Sequence, residues 1–314
     1  MVTAFKKNGL IELFRFLCSV WVAYYHGFFL ILSDKFAGVN VSVDFFFLIT
    51  GIFFLKSVEK FKDKPYFEGV RAMLWGRTRR FAVLLAIAAL SVLLCNVLFP
   101  MDLGFNWPLS FLWFFAAQYF LLALYFLLYK KTRSMLTFNV VLVIIVLISM
   151  SLFKLGYSNL DIPLRTPAML AMGILISQIP KLQIKAREPS VAKKLTILVN
   201  ALGFAVFTAA FVYLAYLPGY EVWKLHLLCC IICPGVIYFA TALPVYGKFF
   251  DFLGEFSLYI YLGQCPILLH HYAVSRDTRD QFPLLCIVAV LMFIIYRLVN
   301  RKKPQPKIAV SNKK

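Results

Sequence analysis

The sequence predicts an all-α integral membrane protein with about ten transmembrane helices and both termini in the cytoplasm. Three observations carry this reading. First, 62% of the residues are hydrophobic and only 15% are charged, whereas a soluble domain averages about a quarter charged and under half apolar. Second, apolar runs of spanning length recur along the chain, separated by short polar or basic stretches. Third, the basic residues alternate with those runs. With the amino terminus inside, about 26 of the 33 lysines and arginines fall in cytoplasmic segments and about 6 outside, as the positive-inside rule expects.

The predicted segments are 11–32, 41–55, 81–99, 111–129, 138–153, 166–179, 195–217, 225–245, 252–269 and 283–299. The second and sixth are short enough to be either full spans or re-entrant. The first is too long for a signal peptide and no small-residue cleavage site follows it, so it is expected to remain as an anchor. A strongly basic loop is expected over 56–80, and a second, PKLQIKAREPSVAKK, before the seventh segment. Pro234 lies inside the eighth and predicts a kink there. FNWPLSFLWFFAAQY reads as an aromatic belt leading into a helix. Residues 1–300 form one membrane domain and 301–314 a short basic cytoplasmic tail, with no internal repeat.

The net charge of +19 would raise nucleic-acid binding in a soluble protein. Here the charge sits in loops between spans, so membrane lipids and no nucleic acid are the expected partners. The seven cysteines are odd in number and lie mostly in apolar runs. No disulfide framework and no zinc-ligand spacing appears, which leaves buried free thiols and no metal.

Within the first segment, IELFRFLCSVWVAYYHGFFLIL, Arg15 and His26 interrupt an apolar run. Eleven residues at about 100° each bring both side chains to one helix face, roughly 16 Å apart along the axis. Ionisable groups at membrane depth are costly and mark sites or pathways. Taken singly, Arg15 can snorkel to the headgroups and His26 can serve as an interhelical hydrogen-bonding group. Asp44, in VSVDFFFLITG, either accepts the other ring N–H of His26 and fixes its tautomer, or marks the interface as a helix cap.

The stretch Arg71 to Arg80, RAMLWGRTRR, either contacts anionic headgroups or anchors a phosphorylated cofactor through guanidinium forks. Arg77 and Arg80 share a face if this end is helical. His226, His270 and His271 fall at outer segment ends and read as structural. Arg165, Arg276 and Arg279 lie outside, where they can line an entrance for an anionic acceptor. Capping is the reading for Asp251 and Glu255.

Taken in order, these pieces resemble the membrane-bound acyltransferase family 3, multi-helix proteins that O-acylate glycans. The matching features are the Arg-x10-His first helix in FRFLCSVWVAYYH, VSVDFFFLITGIFF against the family's Val-Asp-x-Phe-Phe-x-x-Ser-Gly-Phe signature, and the Arg-x-x-Arg before the third segment. FLWFFAAQY and LGEFSLYIYLGQCPILL match later family segments. The resemblance implies an acyl-CoA donor, acetyl-CoA above all, and a glycan or lipid-linked sugar acceptor. It implies that His26 and Arg15 are essential and that Arg77 and Arg80, with Arg71 nearby, serve the acyl-CoA. It places Asp44 on the signature's acidic position and the chain in a bacterial plasma membrane. Thr50 replaces the usual serine, and Gln264 stands where histidine is common. The tail is too short for the hydrolase-like domain that some members append, which implies a stand-alone membrane enzyme. Two other readings remain: a transporter or flippase for a lipid-linked glycan, and a non-catalytic scaffold.

Overall fold

Eleven helices make up the regular structure of a computed structural model that describes residues 8–24, 38–98, 113–132, 134–155, 161–186, 188–217, 221–274 and 281–299. In chain order they are α1 Gly9–Tyr24, α2 Gly38–Ile52, α3 Phe54–Glu59, α4 Tyr66–Leu98, α5 Trp113–Thr132 and α6 Met135–Lys154. The rest are α7 Asp161–Ile176, α8 Pro189–Ala215, α9 Val222–Ala242, α10 Lys248–Val274 and α11 Gln281–Val299. No strand occurs among the described residues. The all-α class expected from the sequence is what the chain adopts.

Among the described residues, four stretches are long and apolar enough to cross a membrane: Val41–Glu59, Met135–Leu152, Pro189–Ala215 and Trp223–Ala242. Leu164–Ile176 and Cys286–Leu298 are shorter apolar helices. Helices α6 and α8 display their apolar side chains outward, Ile144, Leu147 and Ile148 on one and Leu198, Leu202 and Val206 on the other. Apolar rows turned away from a bundle suit a hydrocarbon solvent, in which every backbone group must be paired within the helix.

Several boundaries differ from the sequence reading, each for a local reason. The basic loop expected over 56–80 is mostly helical, because Lys, Arg, Met and Ala are good helix formers and charge alone does not break a helix. Helix α3 carries the second segment on to Glu59, and α4 begins at Tyr66, just after Pro65. The Pro65 carbonyl accepts from the Gly69 amide at 2.7 Å, and Glu68 in the first turn suits the helix dipole. Lys130 closes the intervening turn by donating to the carbonyls of Lys62 and Lys64 at 2.7 and 2.6 Å. Arg165, expected in a loop, lies inside α7, and α8 starts six residues early with Pro189 in its first turn. Pro234 does lie within α9.

The bundle is centred on α2. Its glycine Gly51 faces Gly173 of α7: a Cβ on Gly51 would overlap the Leu170 carbonyl, and one on Gly173 would overlap the Leu48 carbonyl. Backbone-to-backbone approach of this kind is how small residues join helices where no hydrophobic effect operates between them. On another side of α2, Phe45 packs against Phe14 of α1 and Phe211 of α8 at ring-centroid distances of 5.6 and 5.7 Å. Helix α1 is pinned at its start. Asn8 Nδ2 donates to the carbonyls of Ala240 and Leu243, and the Gly9 amide donates to Val245 O at 2.7 Å. Of the cysteines with described side chains, Cys18, Cys229, Cys230 and Cys233 are buried free thiols, as expected, whereas Cys286 is exposed.

After α7, outside the spans, Lys181 donates to the Thr241 hydroxyl and, at 3.5 Å, to the Tyr238 carbonyl. Its ammonium lies 5.0 Å from the Tyr238 ring centroid. Burial lowers the Lys181 pKa from its ordinary 10.5 to about 8.

Two predictions follow from this packing. Gly173→Ala forces α2 and α7 apart and is expected to cost about 1–3 kcal/mol, seen as a lower melting temperature in detergent. Gly76→Ala meets nothing within 4 Å and, with alanine the better helix former, is expected to melt at or slightly above wild type, by about 0.5–1 kcal/mol. For Lys181, the unfolded chain binds the proton more tightly than the folded one. Stability is therefore gained as pH rises from about 8 toward 10.5 and lost as pH falls through that window. Melting curves of wild type and Lys181→Met are expected to converge over that range. A gap that stays constant with pH would show that Lys181 is not held this way.

Candidate active site

Helix α1 fixes Arg15 by means of Glu12 one turn earlier. The two side chains pair at 2.8 Å, with Arg15 31% exposed and Glu12 6%. Glu12 is itself wedged against α10 at Gly254, where any Cβ would overlap its carboxylate. The guanidinium is thus held from behind while its outer edge stays accessible.

That accessible edge lines a cavity of about 500 Å³, shared with Lys60 and with Arg77 of α4. Arg15 and Arg77 lie on distant segments of the chain, and the fold brings them to one chamber. No carboxylate occurs among its described lining residues. Phe46, Phe114, Phe115 and Tyr261 supply apolar walls. Polar groups interrupt them where Gln118 of α5 donates to the Thr50 hydroxyl at 3.1 Å. A chamber with cations and an apolar lining can take an elongated anionic ligand whose uncharged part goes into the protein. Arg71 is exposed and does not line this cavity. Arg80 lies on α4, as the shared-face argument requires, and its side chain is outside the described residues. His26 is also outside them.

Asp44 does not cap its helix. It sits inside α2, fully buried, with Oδ1 at 3.1 Å from Arg165 Nε and Oδ2 at 3.0 Å from His226 Nδ1. Three helices running in the same direction build this cluster. Asp44 and Arg165 each lie about two turns before the Gly51–Gly173 crossing. Cys230 and Met169, each one turn beyond His226 and Arg165, bring their sulfurs to 3.7 Å. Arg165 is 2% exposed and His226 0%, so both side chains face the bundle interior and Arg165 does not line an open entrance.

A signal for this pairing was present in the sequence. A carboxylate buried among apolar residues needs cationic or hydrogen-bonding partners, and Arg165 and His226 stand at matching depths on segments of like direction. The proposed Asp44–His26 contact falls outside the described residues. Among those residues, no group of three or more His, Cys, Asp and Glu side chains could hold a metal ion.

Asp44→Asn would remove the charge that Arg165 and His226 face. Breaking a buried pair from one side costs about 3–5 kcal/mol, so a large fall in melting temperature is expected. Adding Arg165→Met to Asp44→Asn should recover part of the loss, because the uncompensated cation is then gone. Additive losses in the double variant would refute the coupling.

A family model described as an acyltransferase domain matches residues 8–301, nearly the whole chain. No curated protein and no solved structure is significantly similar to it.

Proposed function

The chain belongs to acyltransferase family 3, and from that membership we propose that it is an O-acyltransferase moving an acyl group, most simply acetyl, from acyl-CoA to a hydroxyl of a cell-surface or lipid-linked glycan. The observation that carries the donor half of this reading is the shared chamber, in which Arg15, Lys60 and Arg77 converge on about 500 Å³ of space with aromatic walls. Acyl-CoA has the matching shape, with phosphates at one end and an uncharged arm at the other. Guanidinium groups bind phosphate oxygens in bidentate fashion.

In this mechanism Lys60 and Arg77 take CoA phosphates, with Arg80 and Arg71, on the same helix as Arg77, attracting them from the cytoplasmic side. Arg15, braced by Glu12, polarises the thioester carbonyl and stabilises the charge that gathers on its oxygen as the acceptor attacks. His26 is the general base. It removes the proton of the glycan hydroxyl as the new ester C–O bond forms. Collapse of the tetrahedral species breaks the C–S bond, and the proton passes to the departing CoA thiolate. Asp44 remains the orienting carboxylate in this scheme. Its oxygens accept up to about four hydrogen bonds, so engagement by Arg165 and His226 leaves capacity for a third donor.

The topology that fits this chemistry has about ten spans, both termini and the 301–314 tail in the cytoplasm, and a bacterial plasma membrane around residues 1–300. Donor then enters from the cytoplasm and acceptor from the other side.

The test is thiol release from acetyl-CoA by detergent-solubilised protein with cell-envelope glycan. General-base catalysis contributes typically about 10²–10⁴-fold, so His26→Ala should lose about that factor with expression unchanged. Arg15→Ala should also fall steeply. Full activity of His26→Ala would overturn the mechanism. Absence of release with both acetyl- and succinyl-CoA would favour the transporter reading instead.

A further inference from the structure

The polar contact inside the cationic chamber determines which way an amide points. The Thr50 hydroxyl donates its single proton to the Phe46 carbonyl, one turn back on α2, at 2.9 Å. Its oxygen can therefore only accept from Gln118, and the Gln118 Nε2 donates to it at 3.1 Å. Gln118 makes no other hydrogen bond among the described residues. Its carbonyl Oε1, the other arm of a planar amide that cannot be turned over without losing the Thr50 bond, is left as an acceptor. Gln118 is 8% exposed and lines the cavity, so bulk water does not surround it. An acceptor on a cavity wall is open to a donor that the ligand brings.

We propose that Gln118 Oε1 is the acceptor for a secondary-amide N–H of the pantetheine arm of acyl-CoA, and that Thr50 is the positioning residue that holds the amide in that sense. This deepens the acyl-CoA reading and rests on it. Between the pyrophosphate and the thioester, the donor is an otherwise largely hydrocarbon chain carrying two secondary amides. A chamber with cations, aromatic walls and one oriented amide acceptor matches that sequence of groups. Gln118 then favours donors that carry an amide in the arm and discriminates against simple acyl thioesters. Such polar recognition is selective because an unmatched partner leaves the buried oxygen unpaired.

The experiment compares two probes on the full-length protein in detergent: CoA, and adenosine 3′,5′-bisphosphate, which keeps the adenosine and two of the three CoA phosphates but has no pantetheine arm. Gln118→Leu is expected to weaken CoA binding about tenfold and to leave adenosine 3′,5′-bisphosphate binding unchanged. Arg77→Ala is expected to weaken both. If Gln118→Leu does not fold, Thr50→Val supplies the test. It keeps the side-chain shape, frees the amide to turn over, and is expected to weaken CoA binding alone, about threefold. Unchanged CoA binding in these variants, or equal loss for both probes, would overturn the assignment while leaving the acyl-CoA reading standing. Failure of wild type to bind CoA at all would overturn that reading, and this assignment with it.

Discussion

Close approach of α2 and α7 at Gly51 and Gly173 is the constraint on which both polar regions depend. Neither glycine tolerates a Cβ, because each faces the other helix's carbonyl. Two turns toward the amino-terminal ends, the same crossing brings Asp44 within ion-pair distance of Arg165. Next to it on α2, Thr50 faces a different way, into the chamber with Gln118. A small lateral displacement of α7 would alter the first contact directly and the second through α2. Close packing transmits such shifts, because interiors have little free volume to absorb them.

The two regions use charge in different ways. Around Asp44, burial is complete and charge is balanced inside the protein, a carboxylate between a guanidinium and an imidazole. Such an arrangement is costly to form and costlier to break from one side, which makes it a register device for three parallel helices. In the chamber, by contrast, Arg15, Lys60 and Arg77 share a wall with no described carboxylate lining it, and Arg15 is braced from behind by Glu12. Charge balanced within the protein locks helices together, whereas charge gathered at a cavity wall attracts an anion. The separation matters because an acid placed on the chamber wall would compete with an anionic ligand for the same guanidinium groups.

The all-α class was legible because apolar length is a one-dimensional property: a stretch such as Met135–Leu152 reveals itself without knowledge of its neighbours. The basic region before Arg80 was misread as a loop for a related reason. Its charges report which side of the membrane it faces, while its helix-forming residues decide its shape. That Arg15, Asp44 and Arg77 are expensive or unusual residues where they stand was also legible. Asp44 was read either as a partner of His26 on the preceding segment or as a helix cap, and the partners found for it lie on α7 and α9. Gln118 carried no signal of its own, because an amide in an aromatic segment gains meaning only once Thr50 is seen to take its proton.

What the sequence alone determined is the set of local preferences: which stretches are apolar, where basic residues alternate, and which costly side chains lie within the spans. Those follow from transfer free energies and helix propensities, which each residue carries with it wherever it is placed. What only the tertiary structure decided is pairing. Asp44 with Arg165 and His226, Arg15 with Arg77, and Gln118 with Thr50 all join residues from different helices. Helical periodicity says which face a side chain is on but not which helix that face meets. The reciprocal contact of Gly51 with Gly173 settles that for α2 and α7, through space that two missing Cβ atoms leave open.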